Sequence, residues 1–468
     1  MQTLNGLDAA FLNLETPTSH LHVTGVLVFD PATMPGGYSF DRVRRFISSR
    51  LGVVESFRRR LATVPFSLGR PVWIDDAGFD LDYHVRRAAL PAPGGPEELG
   101  EFAAGIAGRP LDRAKPLWEM WFVEGVEGDK VALVAKMHHA TIDGVSGANL
   151  MGQLLDLEPR PVEESLPEDE WQPERPPSDV ELLGRALVGR AARRMQLVRT
   201  AVSTTQAVAG VLGRRLFGRG SGMATPFTAP ATPFNGAITP HRRVAMTGVP
   251  LADVKAVKDR FGATVNEVVL AICGGALRRY LECHGGVPER PLLAAVPVSV
   301  RGADASSDGA NQLSAMFVSL ATDVDDPVER LHRVSELARS AKNEHDALGG
   351  GMILDLGEFV SSRIFGVGAR QYSQLRMADR VPKPVNLIVS NVPGPDFPLY
   401  FAGAKLDALY PLGPIYDGMG LNVTVLSYLD TVGFGFITCA ELLPDLWDLA
   451  SGIGESLREL EKAPAARR

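Results

Sequence analysis

The residues best placed to do chemistry are the adjacent histidines of KVALVAKMHHATIDGVSGA, His138 and His139, followed by Asp143 and Gly144. An imidazole has an unperturbed pKa of about 6.5, so near neutral pH it can take up a proton and return it. That suits general acid–base work, such as removing a hydroxyl proton while the oxygen attacks a carbonyl carbon. Asp143 either orients the imidazole of His139 as a relay carboxylate or pairs with an arginine and fixes the turn, and the turn role is the simpler expectation. Gly144 lets backbone pass close to the histidine loop. Metal ligation fits less well. Adjacent strand residues point to opposite faces, and no HExxH spacing or neighbouring Cys/His set completes a site. A protein nucleophile is also missing, because GVSGA around Ser146 is not a GxSxG elbow and no cysteine lies near the histidines.

These side chains need a rigid mount, and the pattern supplies one. Residues 131–137 read as an apolar strand that ends in the histidine pair, with a helix carrying Leu150, Leu154 and Leu155 after the loop. A strand end can aim a side chain into a cleft. Further strands are predicted over 22–29, 292–300, 384–390 and 421–429. Helices are predicted over 40–51, 97–106, 252–261, 265–283 and 444–461. The acidic, proline-rich run PRPVEESLPEDEWQPERPPSD marks a linker. The predicted organisation is an N-terminal lobe over 1–157, a connector over 158–240 and a C-terminal lobe over 241–468. Within the connector, 180–219 reads as a basic amphipathic helix carrying Arg185, Arg190, Arg193, Arg199, Arg214, Arg215 and Arg219. Such a helix either lies on anionic lipid or packs its apolar stripe on the protein.

With 468 residues, 45% hydrophobic and 22% charged, the chain has the composition of a globular protein large enough for two lobes. A net charge of −7 argues against general nucleic-acid binding. Cys273, Cys283 and Cys439 form no CxxC pair, which fits a reducing compartment. The start lacks a basic and apolar leader, and no later run has the apolar length of a membrane span. A cytoplasmic protein that visits membranes or lipid droplets peripherally is the expectation if its substrates are lipids.

HHATIDG resembles the HHxxxDG motif shared by coenzyme-A-dependent acyltransferases and peptide-synthetase condensation domains, in which the second histidine is the base. Further stretches resemble the bacterial wax ester synthase/acyl-CoA:diacylglycerol acyltransferase family in particular. They are LDAAFLNLETPTSHLHV, the PLW of Pro116, Leu117 and Trp118, TVNEVVLA, PVSVR, SNVPGP and LNVTVLSY. The sequence departs from that pattern at Asn266-Glu267, where the family has Asn-Asp. The resemblance implies an α/β, two-lobed, chloramphenicol-acetyltransferase-like (condensation-domain-like) fold with a tunnel between the lobes. It implies transfer of a long-chain acyl group from acyl-CoA to diacylglycerol, or to a long-chain fatty alcohol, with His139 as proton acceptor. No cofactor and no acyl-enzyme are expected. Arg301 would pair with Asp143 and tie the second lobe to the catalytic loop, although a surface arginine is the simpler reading. From the residues alone, Pro116, Leu117 and Trp118 suit a turn leading to a buried aromatic. Helix capping or a buried ion pair explains Asn266 and Glu267 as well as substrate contact does. Two alternatives stay open: a condensation-type enzyme served by carrier proteins, and an inactive lipid-surface binding protein that works through its basic helix.

Overall fold

Local sequence dictates most of the elements. In α2 (Phe40–Arg50) the Ser39 hydroxyl caps the Arg42 amide, and Val43, Phe46 and Ile47 recur at helical spacing to form its buried stripe. A computed structural model of the chain describes residues 1–141, 152–160, 171–186, 227–299, 313–348 and 362–464. Its first half begins β1 (Gln2–Thr3), α1 (Gly6–Leu14) and β2 (His22–Asp30), then α2, β3 (Arg59–Ala62) and β4 (Val72–Asp75). There follow α3 (Leu81–His84), β5 (Val85–Ala89), α4 (Pro96–Ala107), β6 (Trp118–Val126) and β7 (Lys130–His138). The second half opens with β8 (Arg242–Pro250), α5 (Leu251–Phe261), α6 (Val265–Cys283), β9 (Leu293–Ser299), β10 (Leu313–Ser319), α7 (Pro327–Leu348) and α8 (Ser362–Gln374). It closes with β11 (Leu387–Val392), β12 (Tyr400–Phe401), β13 (Ala404–Leu412), β14 (Leu421–Tyr428), β15 (Thr431–Cys439) and α9 (Leu446–Lys462).

Two six-stranded sheets organise the described residues, one ordered β12-β13-β2-β7-β6-β5 and the other β10-β9-β11-β14-β15-β8. The division of sheets does not follow the division of the chain at 241. β12 and β13 come from the C-terminal half, yet β13 pairs antiparallel with β2 of the first sheet. The sheets touch where β13 lies against β14 and β15. There a Cβ on Gly435 would stand 2.1 Å from the Pro411 carbonyl oxygen, so only glycine fits. A shared apolar core seals the joint, with Leu99, Ala103 and Ala104 of α4 packed with Val244, Met246, Ile437 and Cys439 of the second sheet. Burying each large aliphatic side chain there stabilises the joint by about 1.5–3 kcal/mol.

The C-terminal lobe holds the larger core, with α6 buried along most of its length between the sheet, α7 and α9. No single described helix is long and apolar enough to cross a membrane. The α5–α6 pair has the combined length but bends by 102°, and the buried residues of α6 lie in this core. A smaller sheet, β1-β4-β3, flanks the N-terminal lobe. Leu182 and Ala186, on a helical stretch over 179–186, pack on that sheet's Val64, Val72 and Ile74 side.

Candidate active site

β7 runs through the middle of the first sheet and ends at His138, and His139 opens the 3-10 turn His139–Thr141. Both backbone amides are tied down. His138 N–H donates to the Leu117 carbonyl at 3.0 Å and His139 N–H to the Leu21 carbonyl at 3.1 Å, so strand starts on either side fix the loop. The His139 ring is half-buried and lies against Phe11, with centroids 4.1 Å apart and planes tilted by 34°. Burial, helped by the adjacent His138 imidazole, lowers its pKa to about 4. At neutral pH the ring is therefore uncharged, the state in which it can accept a proton.

His138 points elsewhere and is fully buried. Its Nδ1 accepts the Ala140 amide N–H at 3.0 Å, which shapes the turn carrying His139. Its Nε2 stands 3.0 Å from Glu15 Oε1, a close polar contact rather than a fully aligned hydrogen bond. Burial alone would raise the Glu15 carboxyl, but His138 and Arg113 hold it below the usual carboxylate range. His22 pairs across the strands with His138 and stacks on His20, with centroids 5.5 Å apart. Burial, and then the nearby Lys136 ammonium, keeps His22 well below the ordinary imidazole value. Lys136 itself is buried beside Glu119 at 2.5 Å and donates to the Ile106 and Arg109 carbonyls at 2.9 and 3.0 Å, which caps the end of α4. Arg242 reaches from β8 to the Thr18 carbonyl and so links the second sheet to the loop before β2.

The PLW residues scaffold this strand end. Trp118 is fully buried, stacks between Phe57 and His84 with centroids 4.4 Å from each, and donates Nε1–H to the Phe57 carbonyl at 3.0 Å. Leu117 supplies the carbonyl that holds His138, and Pro116 is buried at the turn before it. Glu267 is used structurally as well. Its carboxylate closes a capping box with Thr264 and receives two hydrogen bonds from Arg339 at 2.8 and 3.0 Å. Burial works to raise it, while Arg339 and the Thr264 amide bring it down. Asn266 Oδ1 accepts from Asn391 Nδ2 at 3.1 Å, which joins TVNEVVLA to SNVPGP.

Asp143, Gly144, Arg301, Arg190, Arg193, Arg199, Arg214 and Arg215 lie outside the described residues. Arg185 is exposed on the helical stretch whose apolar side packs on the small sheet. Among the described residues no His, Cys, Asp or Glu group is arranged to hold a metal ion. The sequence reading overlooked Phe11, Glu15, His20, His22 and Lys136. His20 and His22 alternate onto one side of the chain and Phe11 and Glu15 are separated by one helical turn, but neither spacing names the partner each side chain meets.

Two touching six-stranded sheets with a histidine held at a central strand end are the frame in which any chemistry must be placed. A model described as the wax ester synthase/diacylglycerol acyltransferase catalytic domain matches residues 4–269, and the corresponding C-terminal domain matches 309–461. The chain belongs to this wax ester synthase/diacylglycerol acyltransferase family. It is 42% identical over 464 residues to a putative diacylglycerol O-acyltransferase of Mycobacterium tuberculosis, covering 98% of this chain and 90% of the relative. A probable diacylglycerol O-acyltransferase of the same species is 35% identical, with 97% and 98% covered. The fold resembles a wax ester synthase/diacylglycerol acyltransferase from Marinobacter aquaeolei VT8 at a TM-score of 0.69 and 29% identity, covering 98% of this chain and 99% of that one. A condensation domain of the calcium-dependent antibiotic synthetase shares the fold at a TM-score of 0.52 and 16% identity, covering 100% and 97%.

Proposed function

We propose that this enzyme transfers a long-chain acyl group from acyl-CoA to the free hydroxyl of diacylglycerol, and also to long-chain alcohols, with His139 as general base. The observation that carries the reading is the state of His139: uncharged, half-buried and fixed at a strand end by backbone on both sides. The acceptor hydroxyl gives its proton to the imidazole as its oxygen attacks the thioester carbonyl. The tetrahedral intermediate then collapses, the carbon–sulfur bond breaks, and the imidazolium returns the proton to the departing thiolate of CoA. Such a base contributes about 10²–10⁴-fold, and alignment of the two substrates supplies much of the rest.

Both substrates bind together in this scheme, no acyl-enzyme forms, and no cofactor takes part. Naming of the full-length relatives as diacylglycerol O-acyltransferases favours diacylglycerol as the main acceptor. Contact with a membrane or lipid-droplet surface follows from the acceptor's insolubility, and the arginine-rich 180–219 stretch is the candidate for it.

The test supplies palmitoyl-CoA with dioleoylglycerol or hexadecanol and resolves the lipid products. Labelled triacylglycerol in excess of wax ester, with protein mass unchanged after rapid quenching, is the expected result. A stoichiometric acyl adduct on the protein would overturn the ternary-complex mechanism. Release of CoA only when an acyl carrier protein is added would overturn the assignment of donor.

A further inference from the structure

Phe11 and Glu15 are one turn apart at the end of α1, so they share a face, and that face grips consecutive histidines. Phe11 lies on the ring of His139, while the Glu15 carboxylate faces Nε2 of His138 at 3.0 Å and Nε2 of His22 at 3.9 Å. Arg113 holds the carboxylate from the other side and also donates to the Leu12 carbonyl. The helix is itself well seated. Leu4, Ala9 and Leu12 pack with Leu117 and Ala140 beneath the histidine turn. On the opposite side, a Cβ on Gly366 of α8 would stand 2.5 Å from the Asn13 carbonyl oxygen, so α1 and α8 meet at backbone distance.

The hydrogen bonds decide where the proton of His138 sits. The Ala140 amide can only donate, so Nδ1 must present a lone pair, and the single ring proton is on Nε2 beside Glu15. We propose that Glu15 is a positioning residue for the catalytic base: it holds the His138 proton on Nε2, which keeps Nδ1 free to anchor the Ala140 amide and thereby aims His139. Without that carboxylate the proton can move to Nδ1, where it opposes the Ala140 N–H and releases the turn. This inference rests on His139 being the base, and on nothing about the acceptor lipid.

The test combines histidine tautomer NMR on ¹⁵N-labelled protein with a mutant cycle. Native His138 should show the Nε2–H form, and Glu15→Leu should shift population to Nδ1–H. Glu15→Leu should also lower kcat by about 10–100-fold, the scale of an ångström-sized misplacement, with KM for acyl-CoA nearly unchanged. Glu15→Gln, which keeps an acceptor oxygen, should recover most of the rate and guards against a mere folding defect. His138→Asn retains an oxygen able to accept from Ala140, so adding Glu15→Leu to it should lower kcat little further. An Nδ1–H tautomer in the native enzyme, or an equal loss from Glu15→Leu in both backgrounds, would overturn the proposal. If the native enzyme transferred no acyl group, the reaction assignment would fall, and the tautomer measurement would still decide whether Glu15 controls the turn.

Discussion

At the scale of single residues, the decisive quantity is the protonation state of His139. Its lowered pKa places the acidic limb of kcat/KM well below the ordinary imidazole value, near pH 4. Rates measured from pH 8 downward should stay flat through pH 6, whereas a limb centred at 6.5 would show an ordinary, hydrated imidazole. Stability follows with a definite sign. Below pH of about 6.5 the unfolded chain protonates this imidazole while the folded one resists until about 4. Its contribution is therefore complete above 6.5 and is lost as the pH falls from there toward 4, and His20 and His22, also lowered by burial, act in the same direction. Urea midpoints recorded across that window check the sign. For Glu267 the expectation is structural: Glu267→Ala removes a helix cap and hydrogen bonds to a charged partner, lowering stability by about 1–3 kcal/mol. KM for both substrates should be unaffected, and a large KM change at unaltered stability would instead place the side chain against substrate.

At the scale of elements, much of the frame was legible because periodicity is a local signal. The predicted helix over 265–283 coincides with α6, and the strands over 22–29, 131–137 and 421–429 differ from β2, β7 and β14 by a residue or so at their ends. The histidine pair was legible for the same reason, since an apolar run breaks at His138. Its support was not. Glu15 approaches His138 only because α1 folds back over the end of β7, and no spacing in the sequence announces that contact. Nor did PVSVR or TVNEVVLA reveal whether their polar residues face substrate or one another, and Asn266 turns out to bond Asn391. The PLW strand start gives a direct test of scaffolding. Trp118→Ala empties a stacked, fully buried site and should destabilise the fold by about 3–5 kcal/mol, seen as a lower denaturation midpoint. Trp118→Phe, which keeps a ring between Phe57 and His84, should retain most of the activity. Loss of activity in that variant at near-native stability would assign Trp118 to substrate binding.

At the scale of the whole molecule, two lobes were foreseeable from length and from the proline-rich break. The exchange of strands between them was not, because alternation marks β13 as a strand without saying which sheet it completes. That exchange makes the lobes interdependent. The first sheet loses two of its six strands without the C-terminal half, and α4 loses its packing on the second sheet. Residues 1–160 expressed alone should fail to unfold cooperatively, while coexpression with 227–468 should give a copurifying pair. A cooperative transition in the isolated N-terminal piece would contradict the interdependence.

The central claim is that His139 is the base for acyl transfer from a coenzyme A thioester. The direct measurement compares native enzyme with His139→Ala for transfer of labelled palmitoyl from palmitoyl-CoA to dioleoylglycerol, with equal thermal midpoints confirming that both are folded. A fall in kcat of about 10²–10⁴-fold in the variant is the predicted result. Transfer by the folded variant within a few-fold of the native rate would contradict it.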